Sequence, residues 1–318
     1  MVKIVKILRT HLFHGVAVGL VVSSLSFVVV NLSQGDTALE IAIARHGTTL
    51  TNEALVEQIR IEEKLDQSLW IQYARWIGRT FTFDLGRSLV SKEKVVDLLL
   101  YHFRHTLVLS LAAMLISLII ALPWGIFCGI YPGGSFDNIS GLVSSALVAV
   151  PSFVTGILLI LALSIKLQWL PVAGFFTLRH LVLPAATLGI GLAAFSSRVV
   201  ATAIVDVRKA FFYQFARMKG LTETRVLFGH GIKNASIPVI TFIGLQTAHL
   251  LDGVVVVETL FAWPGIGKLI LDSILARDIP VVQGAGLLIG FIYVAVNATV
   301  DLICIALDPC RRDLEAIQ

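Results

Sequence analysis

Gln246, His249 and Asp252 recur at i, i+3 and i+6 inside an otherwise apolar stretch, so helical periodicity puts them near one face. An imidazole and a carboxylate together suit a divalent transition metal. A charge at the centre of a lipid-embedded helix costs roughly 2.5–3.5 kcal/mol on insertion scales, so such residues face a protein interior or a watery path. Two readings stay open. The three side chains line a path through the membrane, where a cation meets only weak, transient contacts because a path must release its cargo. Alternatively, they hydrogen-bond between helices or across a subunit interface. Neither reading makes a stable metal site. Asn297 and Asp301 form a second pair, read as structural because a charge near the headgroups is cheaply solvated; Arg198 is read as snorkelling to the inner interface.

Other chemistry is missing from the chain. There is no P-loop, no HExxH pair and no GxSxG turn. Cys128, Cys304 and Cys310 form neither a CxxC metal site nor a disulfide framework. No catalytic cluster points to an enzyme, and no motif points to nucleic acid. Any energy-driven function needs a partner that hydrolyses ATP, with ATP and magnesium held there and no cofactor in this chain.

The elements that position these residues are membrane spans. With 56% hydrophobic and 14% charged residues and a mean hydropathy of +0.86, the 318-residue chain is too apolar for an ordinary water-exposed surface. A bilayer core about 30 Å thick needs about 20 apolar residues per helix. Six segments qualify: 12–32, 106–131, 139–165, 181–205, 235–257 and 281–307. The first is read as a retained anchor, because it is long for a signal peptide and "VVVNLSQGD" offers no small-residue cleavage site.

Cations set the orientation. Lys3, Lys6 and Arg9 at the start, six Lys and Arg in the 206–234 loop, and Arg311 and Arg312 in the tail belong on the cytoplasmic side, so both termini lie inside. The net charge of +4 then reflects topology at the inner lipid surface. Lys3, Lys6 and Arg9 also suit an interfacial helix. The chain divides into 1–32, an interfacial helix and first span; 33–105, an external segment; and 106–318, the membrane domain with a cytoplasmic loop at 206–238.

Within the external segment, residues 52–79 show helical spacing with Asn52 as N-cap, and "FDLGRSL" at 83–89 reads as a turn entering an extended piece. The cytoplasmic loop has its own pattern. Residues 206–219 continue the fourth span as a helix, Gly220 ends it in the left-handed conformation, and Thr222 caps a second short helix with Val226, Leu227 and Ile232 on its apolar face. Pro238 then opens the fifth span. The result is a bent helical knob under the membrane, serving either as a docking element or as a basic loop that obeys the charge rule. In "FAWPGIGK" at 261–268, Pro264 fixes φ, Gly265 and Gly267 permit positive φ, and Phe261 and Trp263 anchor the turn at the outer interface. It is a plain connection before the amphipathic stretch 268–278, or a re-entrant outer gate built from Trp263, Pro264, Gly265 and Gly267.

"QFARMKGLTETRVLFGHGIKNASIP" at 214–238 resembles the cytoplasmic coupling loop of ABC importer permeases. "LDQSLWIQYARWI" at 65–77, "FDLGRSL" at 83–89, "LQWLPVAG" at 167–174 and "ETLFAWPGIGK" at 258–268 are similar to the dipeptide, oligopeptide and nickel permeases, in the same order. The resemblance covers nearly the whole chain. It implies an all-α fold of six transmembrane helices, with Gln214, Phe215, Ala216, Arg217, Gly220, Leu221, Thr222, Arg225 and Pro238 engaging an ATPase. It also implies a second homologous permease, two cytoplasmic ATPases and an extracytoplasmic substrate-binding protein. Gln214 stands where the family has an acidic residue, Ile237 replaces the usual leucine, and "PGGSFDN" at 132–138 lacks the usual cations. The short loop from Gln168 to Arg179 is closer to nickel-type members, which implies nickel or a nickel chelate as cargo, with His249 and Asp252 as transient contacts. A di- or oligopeptide is the alternative. A gated channel that needs no ATP is the rival from another class, and it would have no use for a docking knob.

Overall fold

A computed structural model describes residues 35–47, 51–81 and 84–307, with scattered positions between 9 and 28; the side chains of 79–81, 248, 249, 251, 252 and 304–307 lie outside that description. Among the described residues the secondary structure is helical, apart from one antiparallel bridge between Arg87 and Lys94. Four helices are long and apolar enough to cross a membrane: Val95–Ile130, Leu178–Lys209, Glu223–Thr247 and Ile279–Ile303. The expected straight span 139–165 is instead two helices, Ser135–Ala149 and Ser152–Lys166, bent by 101°. Pro151 causes the break: it pushes the preceding Val150 to ψ 123°, outside the helical region. Counted as one, the pair makes five candidate spans. The sixth expected span, 12–32, falls largely outside the described residues, as do Lys3, Lys6 and the tail arginines.

In chain order the described helices begin with α1 (Thr37–His46), α2 (Glu53–Glu62), α3 (Leu69–Phe81) and α4 (Val95–Ile130). There follow α5 (Ser135–Ala149) and α6 (Ser152–Leu159), the latter running into a π-helical turn at Ile160–Lys166. Next come α7 (Leu178–Lys209), α8 (Phe211–Met218) and α9 (Glu223–Val226), and then α10 (Ile232–Leu260), α11 (Ile266–Leu275) and α12 (Ile279–Leu307). Contacts divide the chain into one unit of 1–106 with 264–295 and another of 107–263 with 296–318.

The first unit holds α1 and α2 together over buried Ala38, Ile41, Ala42 and Ile59. Asp36 and Asn52 cap them, accepting the amides of Ala38 and Leu55. The helix expected over 52–79 is two helices, because residues 63–68 turn back with Lys64 at φ +56°. Glu63 is captured there by Arg45 (2.6 Å) and Lys92, and the ion pairs fold the chain away from the helix axis. Within the 83–89 stretch the described residues turn at 84–86: Asp84 accepts the Gly86 amide, and Gly86 has φ +75°. Buried Asp278 accepts the Ser88 hydroxyl and the Leu89 amide (2.9 Å), tying this turn to the approach to α12. Val95, Leu99, Val281 and Ala285 form the core between the starts of α4 and α12.

The second unit packs α4, α7 and α10 around Leu109, Ala113, Leu183, Leu188, Leu250, Val254 and Val257. Gly125 and Gly129, four apart on α4, let α7 come close. A β-carbon on Gly125 would sit 2.6 Å from Ser197 O, and one on Gly129 2.6 Å from Ile204 Cβ. Such small-residue spacing is how helices pack without a hydrophobic drive between them.

Phe261 and Trp263 are 1% and 5% exposed and belong to this core, so they do not anchor the turn at the membrane interface. The glycines do not supply the positive φ either. Gly265 has φ −96° and caps α11, and Gly267 lies inside that helix. The left-handed residue is Ala262 at φ +50°. The Trp263 amide donates to Glu258 O and the Ala262 amide to Thr259 O, which is a Schellman stop to α10 and requires that conformation at the residue after the Phe261 cap.

Candidate functional site

The cytoplasmic loop is built outward from α7. That helix ends at Lys209 because Ala210 is extended at ψ 143°, so the helix expected over 206–219 is broken there and α8 is a separate element. α8 seats itself through Tyr213, which is buried against Val200, Ala203, Ile204, Val226, Leu227 and Ala235, with Ala216 and Leu221 packed alongside. Gly220 follows at φ +85°. Nothing lies within 4 Å of where its β-carbon would be, so the demand for glycine is conformational and not steric. Thr222 precedes α9, but its side chain makes no capping bond; the hydroxyl sits 3.4 Å from that of Thr224.

Pro238 does not open the fifth span. α9 runs through a π-helical turn at Leu227–Gly231 directly into α10, and Pro238 lies exposed inside α10. The second arm of the knob and the span are therefore one continuous helical element.

Arg208 joins the parts. Its Nη1 donates to Gly129 O (3.1 Å) and Ile130 O (2.5 Å), the last carbonyls of α4, and its Nη2 pairs with Glu223 Oε1 at 2.6 Å. One guanidinium thus caps α4, extends from the end of α7 and holds the first residue of α9. Sequence reading missed this pair, because an Arg and a Glu fifteen positions apart in a basic loop carry no periodic signal.

The far side of α8 is apolar and open. Phe211 and Met218 are 78% and 73% exposed, and Phe215 is 44% exposed. The Phe211 and Phe215 rings stack at 6.0 Å, and Lys219 Nζ lies 4.6 Å over the Phe215 ring. Gln214 and Arg217 spend donors on the backbone of Lys209 and Leu221 at the rim, and Arg225 is exposed.

Of the three residues spaced along the fifth span, Gln246 is buried and satisfied. It accepts from Ser196 Oγ at 2.8 Å and donates to Leu192 O at 3.0 Å, bridging α10 to α7. It also borders a cavity of about 400 Å³ with Gly191, Phe195, Phe242, Leu245 and Gly253. The side chains of His249 and Asp252 lie outside the described residues. Asn297 is half-buried and Asp301 exposed, both on α12. Arg198 pairs with Asp137 (2.9 Å) and donates to Ser140, whose hydroxyl also receives the Trp124 indole. Trp263 lies in the core of the second unit, while Pro264, Gly265 and Gly267 belong to the first, where the Gly265 carbonyl meets His102 and the Ile266 amide donates to Thr106. Among the described residues no three His, Cys, Asp or Glu side chains gather as a metal set.

Residues 121–313 match the family described as the inner membrane component of binding-protein-dependent transport systems, a span that includes the whole 206–238 loop. The chain belongs to this family. It is also similar to the glutathione transport system permease protein GsiC of Escherichia coli strain K12, of Escherichia coli O6:H1 strain CFT073 and of Shigella dysenteriae serotype 1 strain Sd197. Each is 36% identical over 292 residues, covering 92% of this chain and 94% of the relative. This permease is an ABC importer subunit of the inner membrane, crossing it several times. It transports and does not catalyse, and its family works with ATPase subunits and a binding protein.

Proposed function

We propose that the permease forms half of a translocation path for a peptide-type solute, and that α8 with the Gly220 bend receives the stroke of a partner ATPase. The carrying observation is the exposed Phe211–Phe215–Met218 face, backed by buried Tyr213 and by the Arg208 clamp. An apolar face on a rigidly seated helix is a surface made to be covered, and whatever pushes it moves α4, α7 and α10 together. Gln214, Phe215, Ala216, Arg217, Gly220, Leu221, Thr222, Arg225 and Pro238 belong to this coupling element. Ala216 and Leu221 seat it, Gly220 bends it, and the others face its rim or its exit.

The rest of the assembly follows from this reading. ATP and magnesium sit on two partner ATPases, a second homologous permease completes the path, and both termini are cytoplasmic. His249 and Asp252 border the path, while Gln246 holds its wall. Trp263, Pro264 and Gly265, with Gly267 in the first turn of α11, lie at its outer end.

The relatives named for glutathione transport favour a peptide over nickel as cargo, against the short loop at 168–179. The full transporter, reconstituted with its binding protein, should take up labelled glutathione or a labelled dipeptide only with ATP present, and nickel should not compete. ATP-driven uptake of nickel with no effect of peptide would reverse the assignment.

A further inference from the structure

α3 half-buries Tyr73, Trp76 and Ile77 but leaves the large apolar side chains of its first turn open. Its inner side carries Gln72, which donates to the carbonyls of Leu65 and Gln67, and Arg75, which donates to the Gln67 side chain. With Trp76 these residues line a cavity of about 770 Å³ that also receives Arg87, Lys94 and Asp97. The outer side of its first turn is Leu69, Trp70 and Ile71, which are 50%, 81% and 52% exposed, followed by exposed Ala74 and Gly78. A surface helix in water turns its large apolar side chains inward and does not leave three in a row open.

The neighbour of α3 accounts for this open first turn. Tyr73 touches the first apolar segment, its hydroxyl 2.5 Å from Ser24 Oγ and its ring 5.2 Å from that of Phe27. The described positions of that segment are helical, with Val21, Leu25 and Val28 exposed at i, i+4 and i+7. Ser24 lies inside the 12–32 apolar run, eight residues before its end. If 12–32 spans the bilayer as its hydropathy predicts, a helix docked there lies below the membrane surface. Leu69, Trp70 and Ile71 are thus a second open apolar surface on a helix that touches this segment, and a tryptophan on a helix that also bears Arg75 is the composition of an interfacial helix.

We propose that α3 lies in the outer leaflet, with its first turn inserted among acyl chains, anchoring the external segment to the bilayer. Lipid burial of α3 rests on its contacts with the 12–32 segment read as a membrane span, and which leaflet it occupies rests on the orientation proposed above. The test uses the assembled transporter in nanodiscs, with Cys128, Cys304 and Cys310 replaced and spin labels on Trp70→Cys, Ile71→Cys and Glu53→Cys. Glu53 is exposed on α2 and serves as the aqueous reference. Relaxation by oxygen relative to aqueous chromium oxalate should be several-fold higher at 70 and 71 than at 53. Equal ratios at all three sites, or shielding of 70 and 71 from both reagents by a protein partner, would overturn the proposal. As a variant that keeps an aromatic ring, Trp70→Phe should lose part of the tryptophan quenching by brominated lipids that the native protein shows; unchanged quenching would count equally against it. Labelling at position 53 from outside intact cells tests the orientation separately.

Discussion

Gly220 shows how a single residue sets the geometry of the knob. Its φ of +85° suits glycine and is tolerated by asparagine, but a β-branched side chain is strained there by roughly 1–2 kcal/mol or more. Gly220→Val should leave the permease in the membrane but abolish transport-coupled ATP hydrolysis, and Gly220→Asn should retain most of it. Equal activity of the two variants would show that the bend does not matter. Arg208 and Glu223 make a second test. The pair is 27% and 38% exposed, so a double-mutant cycle should give a coupling of only about 0.5–1 kcal/mol. Arg208→Ala should cost more than Glu223→Ala, because it also strips the Gly129 and Ile130 carbonyls of their donor. Unfolding of the detergent-solubilised protein by denaturant reads both. Gly220 was legible because glycine after a helical run is a strong local signal. Arg208 was not, because its partners come from three separate stretches of chain.

Elements were legible where a local rule governs them. Asn52 caps α2 and the turn at 84–86 forms as its residues require, while the long apolar helices follow from hydropathy. The misreadings arose where nonlocal contacts or proline intervened. Pro151 breaks an apolar run that hydropathy alone reads as one span, and Glu63 is pulled out of helical register by Arg45 and Lys92. Ala262 takes the left-handed position that glycine should have had, because the Schellman bonds of α10 decide where the turn falls.

The charged cluster of the external segment also gives a pH dependence. Lys92, 2.9 Å from Glu62, lowers that carboxyl below its ordinary value. Burial works against the Lys92 ammonium, but Glu63 and Glu62 together raise it above its ordinary value. A depressed carboxyl stabilises above its unfolded value and stops doing so as pH falls through the folded one. A raised ammonium stabilises below its unfolded value and stops as pH rises through the folded one. The α2 to 88–94 contact should therefore be firm between the two ranges and loosen in acid. Amide exchange at 59–65 should accelerate on acidification beyond its intrinsic trend in the native protein, and Lys92→Ala should remove that excess. No difference between the two would dismiss the cluster.

At the scale of the whole molecule, the family match and the all-helical architecture agree on a transport subunit, with α8, seated on α7 and α10, as its proposed input. The pairing of 264–295 with the N-terminal part was invisible in the sequence, because it depends on Asp278 reaching Ser88 and on Val281 and Ala285 packing against α4. The most direct measurement replaces the exposed face of α8. Phe211→Ser with Phe215→Ser leaves Tyr213 and its buried neighbours untouched, so the permease should still insert and fold. In proteoliposomes carrying the complete transporter, the ATPases should dissociate from this variant and ATP-driven uptake of labelled peptide should fall to the level seen without ATP. Full uptake, with the ATPases still bound, would contradict the claim that this helix receives the stroke.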